Sequence, residues 1–110
     1  MTPSSAPSPS LTIEQRISDE GEPILVCRGR INLESSAFFR VEVKKLSPHH
    51  KVILADLSAV DAIDSSGLGS ILGTYISAQS DGCELKLVNV HPRVRDLLNI
   101  THLNKVFELR

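Results

Sequence analysis

Hydrophobic positions along the chain change period several times, and each change marks an element. "LTIEQRIS" alternates, with Leu11, Ile13 and Ile17 on one side, and "PILVCRG" after Gly21 is a second strand. The "DEGEP" between them is turn chemistry, so the two runs predict an antiparallel hairpin. "INLESSAFFRVEVKKL" then switches to helix. Asn32 is placed to cap it, Glu34 falls in the first turn, Lys44 and Lys45 lie near the end, and Pro48 stops it. "KVILADL" is a continuous aliphatic run of strand length, suited to a central parallel strand.

From about Ser66 to Gln79 the helical period is the most regular in the chain. Leu68, Ile71, Leu72, Tyr75 and Ile76 form a stripe predicted to face the sheet. "DG" at 81 and 82 predicts a turn and "CELKLVNV" a strand. "HPRVRDLLNI" predicts a short helix with Pro92 in its first turn, and "KVFEL" a last short strand. The order β-β-α-β-α-β-α-β predicts an α/β domain, an N-terminal hairpin followed by a mainly parallel small sheet with helices. Right-handed crossovers gather the carboxyl ends of its parallel strands on one edge, where function usually sits.

Composition narrows the classes. The 110 residues suit one domain, 41% hydrophobic and only 4% aromatic, so the core is expected to be aliphatic. Residues 1–10, nearly all Pro, Ser, Ala and Thr, read as a disordered tail, leaving 11–110 as the domain. That tail has neither a basic stretch nor an apolar one, so no signal peptide or anchor is read there and a cytoplasmic protein is expected. A net charge of -1 with interspersed signs gives no footprint for nucleic acid or an anionic membrane. Cys27 and Cys83 lack metal-type spacing and read as reduced core thiols.

The chemistry concentrates in "DAIDSSGLGSILGTY", residues 61–75. Gly67, Gly69 and Gly73 follow a strand, but their spacing is neither G-x-G-x-x-G nor a P-loop, and the next strand ends at Asn89 rather than an acid. A nucleophilic serine would need a base, and His49, His50, His91 and His102 have no motif that brings one there; a G-x-S-x-G elbow is missing too. No enzyme, cofactor or metal site is therefore expected. Asp56, Asp61 and Asp64 read as turn and capping residues in a "DLSAVDAID" connection.

A serine that receives a phosphate fits better. It sits between a strand end and a helix start, beside Asp61 and Asp64, with glycines that leave room for another protein. Ser66, Gly69, Ser70, Gly73 and Ser77 form a small-residue stripe opposite the apolar one, and a glycine in an exposed helix costs about 1 kcal/mol relative to alanine. Either a partner docks closely along this helix, or the stripe is a solvated face of neutral small residues.

"DLSAVDAIDSSGLGSILGTY", with "ILVCRGRIN" before it and "RVRDLLNITHLNKVFEL" after it, resembles the STAS domains, specifically the stand-alone bacterial anti-sigma factor antagonists. The resemblance spans roughly residues 11 to 110. It implies a STAS-type β-α superhelix and a non-enzymatic partner switch. The unphosphorylated protein binds an anti-sigma factor serine/threonine kinase and releases the sigma factor. Phosphorylation ends this, and a metal-dependent serine phosphatase reverses it. The implied acceptor is Ser65, with Asp64 fixing local geometry and Ser66 supporting the site. The expected partner surface comprises Asn32, Asp64, Ser65, Ser66, Gly67, Gly69, Ser70, Gly73 and Ser77. Asn32 stands where the family usually has an acid, and His102 where it usually has a glycine, so His102 is expected in a left-handed backbone. The alternatives are a non-switching STAS subunit of a stressosome or lipid-transport complex, or a nucleotide-binding module.

Overall fold

A computed structural model describes residues 10–107. The elements are β1 (Leu11–Ile17), β2 (Pro23–Ile31), α1 (Ser36–Leu46), β3 (Val52–Ile63), α2 (Ser65–Ser80), β4 (Glu84–Val88) and α3 (Pro92–Ile100), followed by a 3-10 turn, Leu103–Lys105. The sheet order is β1-β2-β3-β4. β1 and β2 are antiparallel, Ile17 opposite Pro23, and β2–β3 and β3–β4 are parallel, as the hairpin and crossover lengths predict.

Strand alternation divides the sheet into two faces. Leu25 and Cys27, Ile53, Ala55 and Leu57, and Leu85 and Leu87 are buried in one core with Phe39 and Val43 of α1, Ile71 and Ala78 of α2, and Val94 and Leu98 of α3. Aliphatic side chains dominate this core, as composition implies. Burial pushes the Cys27 thiol up to about 12, and raises the Cys83 thiol as well.

Four parts of the fold depart from the sequence reading. "DLSAVDAID" is strand rather than connection: β3 continues to Ile63, still paired with β2, although β4 stops at the Asp56–Val88 pair. Two register shifts, between Val26 and Arg28 and between Gly29 and Arg30, each insert an extra β3 residue. They absorb the polar positions that imitate a turn. Ser58 N–H and Oγ both donate to Asp56 Oδ1 at the first shift, at 2.9 and 2.7 Å. Burial pushes the Asp56 carboxyl up, but hydrogen bonds from Ser58 and Asn89 and the charge of Arg28 outweigh it, leaving Asp56 below its ordinary value.

The first helix starts at Ser36, not directly after Asn32. Residues 32–35 form a turn in which Ser35 N–H donates to Asn32 Oδ1 and Asn32 N–H donates to Ser35 Oγ, both at 3.0 Å. Asn32 thus has the bonding of a cap, one turn ahead of the regular helix. Ile76, expected toward the sheet, is 54% exposed. The buried line of α2 is Gly67, Ile71, Thr74 and Ala78. Finally, the expected "KVFEL" strand is a 3-10 turn and a bend as far as Phe107, with the remainder outside the described residues. Phe107 is buried and meets Tyr75 edge-on, ring centroids 5.2 Å apart.

The expected tail lies outside the described residues except Ser10, whose carbonyl accepts from Arg30 N–H at 2.8 Å. Gly29, at φ +117°, has no room for a Cβ against that carbonyl. His102 has φ +61°, the left-handed conformation expected of it.

Candidate functional site: the serine turn between β3 and α2

The site begins where β3 ends. Asp64 has an extended backbone and its Oδ1 accepts from Gly67 N–H at 2.7 Å, so it caps α2. The cap satisfies one of the N–H groups that a helix start leaves unpaired and places a carboxylate at the positive end of the helix dipole. Asp64 N–H in turn donates to the Ile31 carbonyl at 3.3 Å, tying the turn to the end of β2.

Gly67 fixes how closely the two approach. A Cβ there would fall well inside van der Waals contact of the Ile31 carbonyl oxygen. Gly67, expected on the partner surface, is itself buried: it packs α2 against β2 and thereby positions the residues before it. Ser65 and Ser66, in the first turn, are exposed, and neither hydroxyl has a hydrogen bond among the described residues. Asp61 is also exposed, near the end of β3 and three residues before the cap.

The small-residue stripe divides in two. Gly69 and Gly73 face open space, where an added Cβ would meet nothing within 4 Å. At about 100° per residue, Ile76 shares their outward side. Ser70 turns toward α1, donating from Oγ to the Ser36 carbonyl at 3.3 Å, and Ser77, two turns on, is half-buried. Asn32 is half-buried in the turn after β2, beside the Ile31 carbonyl that holds Asp64 and Gly67.

Sequence reasoning missed Leu33. It was read into the α1 helix, yet it lies in the turn ahead of α1 and is 76% exposed. Ser36 Oγ donates to its carbonyl, and the Ser36 carbonyl receives Ser70 of α2, so the turn that carries Leu33 is tied through α1 to the helix that the serine turn begins. Its signal was the Asn32–Ser35 spacing, which ends a turn before the helical period begins.

No cluster of three metal-ligating side chains occurs among the described residues. Two open hollows, of about 500 and 420 Å³, are lined by Glu84, Arg95 and Phe107 among others, and by Lys51, Gln79 and Cys83 among others. Neither lining includes a residue of the serine turn. No described helix is long and apolar enough to cross a membrane.

A four-stranded mixed sheet whose longest strand delivers an exposed serine to a helix start defines a compact α/β module with an exposed hydroxyl on its rim. The chain belongs to the STAS domain family, whose model matches residues 9–110. The anti-sigma-B factor antagonist of Bacillus subtilis is 30% identical over 81 residues, 74% of each chain. A crystal structure of an anti-sigma factor antagonist from Mycobacterium paratuberculosis superposes with a TM-score of 0.76 at 24% identity, covering 91% of this chain and 85% of that one. The Bacillus antagonist SpoIIAA shares the fold in its unphosphorylated form, TM-score 0.71 at 16% identity over 90% and 88%. Its phosphorylated form gives 0.66 at 15% identity over 90% and 91%.

Proposed function

We propose that this protein is a cytoplasmic anti-sigma factor antagonist, a binding module rather than a catalyst. In this reading the unphosphorylated chain binds an anti-sigma factor that is also a serine kinase. Phosphorylation of Ser65 ends the binding, and a metal-dependent serine phosphatase restores it. The observation that carries the reading is the Ser65 hydroxyl, exposed and without a hydrogen bond among the described residues at the start of α2, directly after an Asp64 whose carboxylate is committed to capping the helix. The Bacillus subtilis relative's name points the same way, and SpoIIAA has been solved both with and without phosphate.

The electrostatics suit a switch. A phosphoryl group would add roughly -1.5 to -2 charges at pH 7. They would be added directly after the Asp64 cap and four residues after exposed Asp61, and the first turn of α2 offers no basic side chain. A partner fitted to the neutral hydroxyl, the outward glycines and the Asn32 turn would lose hydrogen bonds and meet repulsion. Each 1.4 kcal/mol is about a factor of ten in affinity, so two or three such losses suffice without any change of fold.

The test is intact-mass spectrometry with site mapping after incubation with the host kinase and ATP, paired with binding by calorimetry. One added phosphate on Ser65, absent from Ser65→Ala, is expected. Ser65→Ala should bind the kinase persistently, and Ser65→Asp should bind about 100-fold more weakly. Undiminished binding by Ser65→Asp would overturn the proposal.

A further inference from the structure

β1 is an edge strand with nothing over its outer side among the described residues: Thr12, Glu14, Gln15, Arg16 and Ile17 are all exposed. Arg30 N–H donates to the Ser10 carbonyl, which sets the even-numbered residues of β1 bonding toward β2. Alternation in an antiparallel ladder then turns the main-chain N–H and C=O of Leu11, Ile13, Gln15 and Ile17 outward. Proteins usually blunt such an edge with proline, a bulge or a single sign of charge. This one has no proline and no register shift against β2, and its edge charges are of opposite sign.

We propose that β1 pairs with β1 of a second copy of the chain, antiparallel about a two-fold axis through Gln15, to make one eight-stranded sheet across the dimer. The register follows from the side chains. Centred on Gln15, each Glu14 lies opposite the other copy's Arg16, and each Ile13 opposite the other copy's Ile17, both pairs occurring twice by symmetry. Gln15 faces its own copy, and the outward main-chain groups of Ile13, Gln15 and Ile17 are all paired. Centring on Glu14 or on Arg16 would bring like charges face to face, and centring on Ile13 would pair neither charge nor Ile17. The register also gives a side-chain partner to Ile17, which is 62% exposed at the end of the strand.

Within one chain Glu14 already meets Arg16 at 3.1 Å and Arg28 at 3.9 Å, but all three side chains are more than half exposed. Such surface pairs exchange partners at little cost. One strand pair is a small interface, so the dimer dissociates on dilution.

The experiment is sedimentation velocity on the full chain over a wide concentration range, with circular dichroism confirming that each variant is folded. The wild type should show a concentration-dependent dimer. Glu14→Arg and Arg16→Glu, which each set like charges opposite one another at both pairs, should raise the dissociation constant about tenfold or more. The Glu14→Arg/Arg16→Glu double variant should dimerise again, as should an equimolar mixture of the two single variants. A wild type that stays monomeric, a dimer indifferent to both single changes, or a double variant no better than the singles would each overturn the proposal. None of these readouts depends on a kinase or on Ser65.

Discussion

An aspartate stands at each end of α2, and the two are used in opposite ways. Asp64 lies at the favourable end, where its carboxylate meets the helix dipole and a main-chain N–H. Asp81 lies at the end where a negative charge is unwelcome, and its Oδ2 is held at 2.6 Å by both Lys44 Nζ and Ser47 Oγ of the α1 end. Those bonds hold its carboxyl below the usual range. At the Asp81 end each charge is met by a neighbour and the helices are bolted together. At the Asp64 end the carboxylate takes one main-chain N–H while two adjacent hydroxyls have no hydrogen bond among the described residues. One helix thus has a structural end and a chemically available one.

The sharpest way to break this contrast is Gly67→Ala. The new methyl would collide with the Ile31 carbonyl, which is backbone and cannot swing aside, so the start of α2 must lift from β2. A loss of about 3 kcal/mol or more is expected in urea denaturation, together with loss of binding at the serine turn.

Gly69→Ala and Gly73→Ala carry the opposite sign. Both methyls point into open space, so each should stabilise the isolated domain by up to about 1 kcal/mol. If a partner's backbone lies along this face, the same changes weaken binding, and the two readouts move apart. Stabilisation with unchanged affinity would show the face to be merely solvated.

The smallest effects separate the aspartates themselves. Asp64→Ala should cost about 1 kcal/mol as a lost cap. Asp81→Asn should matter less at neutral pH, and its difference from wild type should vanish in acid. The Asp81 carboxyl titrates lower folded than unfolded, so its contribution is present above about pH 4 and is lost as pH falls through the folded value. A stability gap that persisted once the folded carboxyl is protonated would mean that the clamp acts through packing rather than charge.

How much of this was legible in the sequence depended on whether polarity and burial agree. The hairpin, the crossovers and the capped serine turn were readable because hydrophobic period and turn chemistry coincide there. Ile76 was misplaced because Thr74, a polar residue, belongs to the core: its Oγ1 donates to the Ser70 carbonyl at 2.7 Å and so enters without an unmet hydrogen bond. Counting Thr74 as polar rotates the inferred stripe toward Ile76. The outer half of β3 was hidden for a related reason. Beyond β4 the strand has one neighbour rather than two, so Ser58 and Asp61 stand exposed in what is still a ladder. Gly67, Gly69 and Gly73 looked alike in sequence because nothing local distinguishes a glycine pressed against a carbonyl from one facing solvent.

The burial of Cys27 makes the middle of the sheet a chemical clock. With no exposed surface and a thiol titrating at about 12, it offers an alkylating reagent almost no thiolate at neutral pH while the strands stay paired. Its rate of modification therefore counts how often the core over β2 opens, and comparing that rate with and without a bound partner, or with and without phosphate on Ser65, would report whether events at the rim are felt at the centre.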